Sequence, residues 1–416
     1  MPRTKIIATI GPASDSPEVL RALVDAGMSV ARLNASHSSR EELDRRAHAV
    51  RAAAEAAGRH VAVMLDLGGP KIRVGEMAPG TVLVAGARFE LRAAGCVGDS
   101  RGACVTYAGL ARDVPVGAAV LLDDGRIELR VIAAGEGILT TEVLTGGPLT
   151  SHKGVNVPGV HLGVDAITDE DRADLAWGLE AGVDLMAQSF VRSADDVERL
   201  RALIGSAAVP IVAKIEKHEA VADLDCIVEA ADAVMVARGD LGVETAPEQV
   251  PVIQRRIVSA CRRAGKPVIV ATQMLESMTT ATRPTRAEAS DVANAIFAEV
   301  DAVMLSAETA VGAYPVEAVA TMARIAEVAE EALADDTLEE PEPGGRFDVT
   351  RAVSTAASQI ERDLELAAIV TATQSGATAR AVAAHRPRTP IVAVTSDEMV
   401  ARRLALVWGV TPLVVP

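Results

Sequence analysis

Eight short apolar runs, each ending in polar residues and separated from the next by an amphipathic stretch, constrain this chain more than any other feature. They fall at residues 5–11, 29–36, 60–67, 184–190, 210–216, 233–240, 266–273 and 301–308. Unbroken apolar character over so short a length is what a strand buried on both faces requires. The stretches between carry helical periodicity, among them 17–26, 41–57, 169–181, 194–204, 247–264 and 315–332. Ser16-Pro17, Thr168-Asp169 and Pro247 supply capping or first-turn signals. Eight such units predict a closed (β/α)8 barrel. An open doubly wound sheet would carry a glycine-rich turn after its first strand, and here that turn reads Gly11-Pro12-Ala13-Ser14. Only 2% of residues are aromatic against 49% apolar overall, so the core must be built from Val, Ile, Leu, Ala and Met.

One unit is interrupted. Residues 70–157 have β character, with strands expected at 81–84, 88–91, 118–122, 127–132 and 138–143. Turns are marked by Asp123-Asp124-Gly125 and Gly135-Glu136-Gly137. This reads as a β-barrel-like lid hung over the barrel mouth, inserted after the third strand. The barrel itself then occupies 1–69 and 158–333. An acidic, proline- and glycine-rich linker follows at 335–345. The last segment, 346–416, returns to a short α/β pattern: helix 350–362, strand 367–371, helix 377–385 and strand 391–394. It reads as either truncated or minimal, with too little apolar pattern for an independent core.

The net charge of −16 argues against nucleic acid or an anionic membrane as partner. Cys96, Cys104, Cys226 and Cys261 show neither CxxC spacing nor neighbouring histidines, which predicts four reduced thiols rather than a disulfide framework or zinc site. With no signal peptide and no membrane-length apolar run, a soluble cytoplasmic protein is expected.

Catalytic groups of such barrels gather at the C-terminal ends of strands. Here those ends carry Arg32, Asn34 and Ser36; Asp66; Ser189; Lys214 and Glu216; Arg238 and Asp240; Thr272 and Gln273; and Ser306 and Glu308. A purely structural barrel has no need of so many. Alternation places Lys214 and Glu216 on one face of their strand, and strands lie about 4.8 Å apart, so Glu216 and Asp240 can share one cation. Two carboxylates with open positions suit Mg2+ or Mn2+. A lysine beside them suits a phosphoryl group in transfer.

Ile211-Val212-Ala213-Lys214-Ile215-Glu216 and Met235-Val236-Ala237-Arg238-Gly239-Asp240-Leu241-Gly242 resemble the pyruvate kinase family. So do residues 4–14, 31–37, 151–159, 271–278, 283–288 and 304–309, in family order and spacing. The resemblance implies phosphoryl transfer from phosphoenolpyruvate to ADP, giving pyruvate and ATP, in a homotetramer or homodimer. It implies Glu216 and Asp240 as metal ligands and Lys214, Arg32, Thr272 and Ser306 as catalytic residues, the two hydroxyls acting through a water-linked relay. It places Ala237, Arg238, Gly239, Asp240 and Thr272 on the substrate, and Arg32, Asn34, His37, Arg73 and Lys153 on the nucleotide. The alternatives are a lyase or mutase acting on phosphoenolpyruvate or pyruvate in a similar barrel, and a non-catalytic regulatory relative.

Two departures matter. The family's Asp-Thr-Lys-Gly-Pro-Glu-Ile-Arg pattern beside its potassium site is here Asp66-Leu67-Gly68-Gly69-Pro70-Lys71-Ile72-Arg73. Asn34, Ser36 and Asp66 remain, but Leu67 replaces threonine and the Lys71 ammonium replaces the glutamate. Lys71 is therefore expected to substitute for potassium, leaving no requirement for that ion. In the segment resembling the family's regulatory domain, Thr371-Ala372-Thr373-Gln374-Ser375-Gly376-Ala377-Thr378 lacks the loop's usual cation, which argues against regulation by fructose bisphosphate.

Overall fold

The computed structural model describes residues 1–93, 95–335, 349–364 and 366–415. The linker expected at 335–345 lies almost entirely outside them. Eight parallel strands close into a barrel: Lys5–Thr9, Met28–Asn34, Ala62–Asp66, Leu185–Gln188, Ile211–Ile215, Ala233–Ala237, Val268–Ala271 and Ala302–Leu305, hereafter barrel strands one to eight. Strand one pairs with both two and eight, which completes the circle. All eight expected runs become strands, each shorter than its apolar run because the polar ends turn out of the ladder.

The side chains sort into two layers, as strand alternation requires. Ile7, Val30, Met64, Val212, Met235, Ile269 and Met304 fill the barrel interior. The alternate positions, Ile6, Ala31, Leu65, Ala213, Val234, Val270 and Val303, meet the surrounding helices. Helix starts are fixed locally. Ser16 accepts from the Val19 amide, and Ser39, Thr168 and Thr285 each form a reciprocal capping box with Glu42, Asp171 and Glu288.

Between barrel strands three and four stands the lid. Its six-stranded sheet runs in the order Val155–Asn156, Ala119–Leu122, Ile127–Gly135, Ile138–Thr145, Arg88–Ala93 and Gly102–Val105. It has its own core, centred on Phe89, Leu91, Val120, Leu129, Val131, Leu139 and Val143. Strand Gly102–Val105, not expected from sequence, lies parallel to Arg88–Ala93. The connection between these two strands folds back, and Cys96 and Cys104 form a disulfide with Cα atoms 5.8 Å apart. The expectation of four reduced thiols is thus corrected; only Cys226 and Cys261 remain free.

After the helix Val349–Asp363 comes a three-stranded parallel sheet, Ile369–Ala372, Ile391–Thr395 and Val410–Val414, with helices Ala377–Ala383 and Glu398–Leu404 between its strands. The last helix and strand add to the pattern read from sequence. This unit seats on the N-terminal end of the barrel. Ala405 and Leu406 join the barrel's interior cluster and plug its base. Arg386 pairs with Asp301 at 3.0 Å, Arg402 with Asp184 at 2.8 Å, and Lys5 Nζ donates to the Val410 carbonyl at 2.8 Å. Trp408 lies between the Arg3 and Arg386 guanidinium groups. The unit also has a core of its own, centred on Ala379, Val382, Ile391, Ala393, Leu404, Val407 and Val410, which corrects the expectation that its apolar pattern is too small for one. No helix among the described residues is long and apolar enough to cross a membrane.

Candidate active site

Lys214 ends barrel strand five with its ammonium at the opposite, C-terminal mouth. Nζ lies 3.0 Å from Glu216 Oε1 and 3.2 Å from Asp66 Oδ1, and donates to Ser189 Oγ at 2.6 Å. Ser189 in turn donates to the Leu67 carbonyl at 2.6 Å, so Leu67 contributes its backbone while its side chain is buried. Asp66 Oδ2 accepts from Arg32 Nε at 2.7 Å, and another Arg32 nitrogen donates to Thr9 Oγ1 at 3.0 Å. Four barrel strands and the turn after a fifth thus meet through one carboxylate.

Burial alone would raise Asp66, but Lys214 and Arg32 outweigh it and hold the carboxyl below its usual range. Burial alone would lower Lys214, yet Asp66 and Glu216 raise it, so the ammonium stays charged. Glu216 is pushed up by burial and by Asp240 against the opposing pull of Lys214. It also accepts the Phe190 amide at 2.8 Å.

Across the mouth, Lys71 Nζ donates to Asp240 Oδ1 at 2.9 Å and sits 6.0 Å from the Phe190 ring. The ammonium read as a potassium substitute therefore engages a candidate metal ligand, while Asp66 is taken by Arg32 and Lys214. Asn34 caps the short turn Ala35–His37 by accepting the Ser36 amide, and the Ser36 hydroxyl faces Gly68, where any Cβ would lie 2.8 Å from it.

Arg238-Gly239-Asp240, expected on a strand, instead opens the short helix Arg238–Glu244. Thr272 Oγ1 accepts the Gly239 amide at 2.8 Å and donates to the Ala271 carbonyl at 2.6 Å. Thr272 and Gln273 hold φ of 71° and 55°, a strained region for a β-branched residue that is kept here to aim one hydroxyl. The Arg238 side chain is a brace, bonded to Asp291 and to the Thr272 carbonyl. Ser306 is set by its amide, which donates to buried Glu308.

The nucleotide-side residues are less gathered. His37 is exposed, yet it is lowered from its ordinary value by partial desolvation, then by Arg73, Arg32 and Lys71. Arg73 donates to the His152 carbonyl at 3.1 Å, and Lys153 pairs with Asp123 at 2.8 Å within the lid. Two contacts went unread in the sequence. Thr9 props Arg32, and Asn156 of the lid donates to buried Glu244 at 3.0 Å, where Lys217 also binds at 2.8 Å. The position of Thr9 at the end of strand one was a usable signal. The Asn156–Glu244 pair, 88 residues apart, gave none.

Comparison with known proteins decides what this constellation belongs to. Residues 1–319 match the pyruvate kinase barrel domain, and residues 351–416 match the pyruvate kinase alpha/beta domain. A pyruvate kinase of Geobacillus stearothermophilus is 51% identical over 415 residues, 98% of this chain and 71% of that protein. The chain belongs to the pyruvate kinase family. Pyruvate kinase 2 of a Synechocystis strain is 48% identical over 420 residues, covering 99% of this chain and 71% of its own. The crystal structure of a pyruvate kinase from Cryptosporidium parvum superposes with a TM-score of 0.94 at 37% identity, covering all of this chain and 87% of that one. As a family member the chain is a kinase, built on a TIM barrel with an inserted sheet and a C-terminal α/β unit.

Proposed function

We propose that this chain transfers the phosphoryl group of phosphoenolpyruvate to ADP, giving pyruvate and ATP, at the mouth ringed by Lys214, Arg32, Asp66, Glu216 and Asp240. The observation that carries the reading is the buried Lys214 ammonium, kept charged by two carboxylates and pointing into the mouth. A fixed positive charge in a water-poor site stabilises the charge that builds on a phosphoryl group in flight, with no reorganisation at that moment. Arg32, braced by Asp66 and Thr9, offers a second cation to the phosphate. Backbone amides from Ala237 to Asp240, beside the Thr272 hydroxyl, suit the substrate carboxylate. Thr272 and Ser306 are too weakly acidic to protonate an enolate alone, so they act in a water-linked relay. Asn34, His37 and Arg73 face the nucleotide, and Lys153 joins them by exchanging Asp123 for a phosphate.

Glu216 and Asp240 fit a divalent ion of oxygen preference, Mg2+ or Mn2+. Both are carboxylates held against ammonium groups, and buried Glu216 carries a charge that burial disfavours. Among the described residues no cluster of three or more His, Cys, Asp and Glu converges, so substrate and water complete the shell. When bound, the ion draws negative charge from the phosphoryl oxygens. Lys71, already on Asp240, supplies the charge that potassium brings elsewhere in the family.

Pyruvate formation from phosphoenolpyruvate, ADP and Mg2+ tests this. Wild type is expected to turn over, and Glu216→Gln to need at least about tenfold more Mn2+ for half-maximal rate. Glu216→Gln with an unchanged metal requirement would remove the carboxylate pair from the account.

A further inference from the structure

The chain crosses between barrel and lid twice, and the two crossings differ in build. The outgoing one is short: barrel strand three ends at Asp66, and Leu67-Gly68-Gly69-Pro70 leads straight to Lys71. Gly69 holds φ of 67°, and a Cβ there would lie 2.9 Å from the Phe190 ring, so only bare backbone fits this path. The returning one changes sides gradually. Leu162 is buried in the lid core with Val160 and Val164 packed against it, whereas Ala166 and Ile167 belong to the barrel core. Arg192 of the barrel donates to the Leu162 and Val164 carbonyls at 3.2 and 3.1 Å, and Asp113 of the lid accepts the Gly163 amide at 3.0 Å.

Both crossings meet at one carboxylate. Asp171, in the first turn of the helix Asp169–Glu180, is only 2% exposed. Its Oδ2 accepts the Thr168 amide at 2.8 Å and the Thr168 hydroxyl at 2.7 Å, where the returning crossing ends. Its Oδ1 accepts the Gly69 amide at 2.9 Å, 102 residues away in the outgoing one. Helix capping accounts for Oδ2 alone. Among the described residues these three donors, and no cation, meet the carboxylate, so the buried charge depends on both crossings being in place. Two residues beyond Gly69 stands Lys71, whose ammonium reaches Asp240, and two further on is Arg73.

We propose that Asp171 is a positioning residue that locks the two crossings to each other, and so presents Lys71 and Arg73 to the nucleotide in a fixed pose. It acts through Gly69 and not on the substrate. The inference rests on the phosphoryl transfer proposed above, because its kinetic consequence is read at ADP. Losing the Oδ1 bond frees the short link before Lys71 while the lid core and the barrel core stay whole. The effect therefore falls on how the nucleotide is held rather than on the chemistry at Lys214.

Amide hydrogen exchange of the full chain, measured beside steady-state kinetics, tests this with a pair of variants. Asp171→Ala removes the bonds to both crossings; Thr168→Ala removes the capping hydroxyl and leaves the Gly69 amide on Oδ1. In Asp171→Ala the amides between Gly68 and Arg73 are expected to exchange about tenfold faster or more than in wild type. KM for ADP is expected to rise several-fold, with kcat little changed. Thr168→Ala is expected to speed exchange only at residues 168–172 and to keep the wild-type KM. Wild-type exchange at 68–73 in Asp171→Ala overturns the tether, as does an equal change there in both variants, which would mark a helix cap and nothing more. Faster exchange with an unaltered KM for ADP overturns the positioning role. A wild type that forms no pyruvate overturns the proposed function instead, and exchange at 68–73 still decides the tether. Should Asp171→Ala fail to fold, Asp171→Asn, which keeps one acceptor oxygen for two crossings, carries the same comparison.

Discussion

Asp66 holds two cations with its two oxygens, Arg32 on one and Lys214 on the other. The sequence placed it in a potassium site; its geometry makes it the residue that holds both the Arg32 and Lys214 side chains. Lys71 likewise reaches further than expected, to Asp240. The charge argument still applies at that distance. Wild type is expected to turn over without potassium and Lys71→Glu to depend on it, read as turnover with potassium exchanged for a bulky organic cation. Wild type losing most of its turnover in that exchange would contradict the role given to Lys71. Single strand-end residues were legible because strand alternation and barrel geometry fix where they point. Their partners were not, since Ser189–Leu67 and Thr9–Arg32 are set by which strands end up adjacent.

At the scale of elements, all eight barrel strands were readable, because doubly buried strands leave unbroken apolar runs. Their ends were not. Residues 233–240 look like one strand, yet the helix begins at Arg238 despite Gly239 and Gly242, poor helix formers. Tertiary bonds to Thr272 and Asp291 settle it. Strand Val410–Val414 was not read from the sequence; it carries Pro412, which suits its place at the sheet's edge. The same short helix that carries Asp240 also receives the lid, through Asn156 on Glu244. Asn156→Ala leaves Glu244 with one fewer bond, which weakens docking of the lid, not global folding, by about 1–2 kcal/mol. A several-fold rise in KM for ADP, with little change in Tm, is expected; an unaltered KM would mean that this bond does not position the lid.

Over the whole molecule, the chain joins two ends of one barrel: the candidate site at the mouth and a docked α/β unit at the floor. Arg386 and Asp301 are both buried at that joint. Arg386→Ala strands the Asp301 charge and is expected to cost about 3–5 kcal/mol in urea unfolding. Lys5, at the same joint, is lowered to about 8 by burial and by Arg59. Between about pH 8 and pH 10 the unfolded chain therefore binds more protons than the folded one, and stability gains as pH rises through that window. Wild-type Tm measured against Lys5→Met should rise from about pH 7.5 to 9.5, and a flat difference would show that the ammonium is not desolvated.

The central claim rests on one ammonium. Steady-state pyruvate formation by Lys214→Met, compared with wild type at saturating phosphoenolpyruvate, ADP and Mg2+, tests it most directly. A fall in kcat of about 10²-fold or more, with the folded state intact, is the predicted result. A folded Lys214→Met enzyme that keeps wild-type kcat would contradict the assignment of Lys214 to the phosphoryl group.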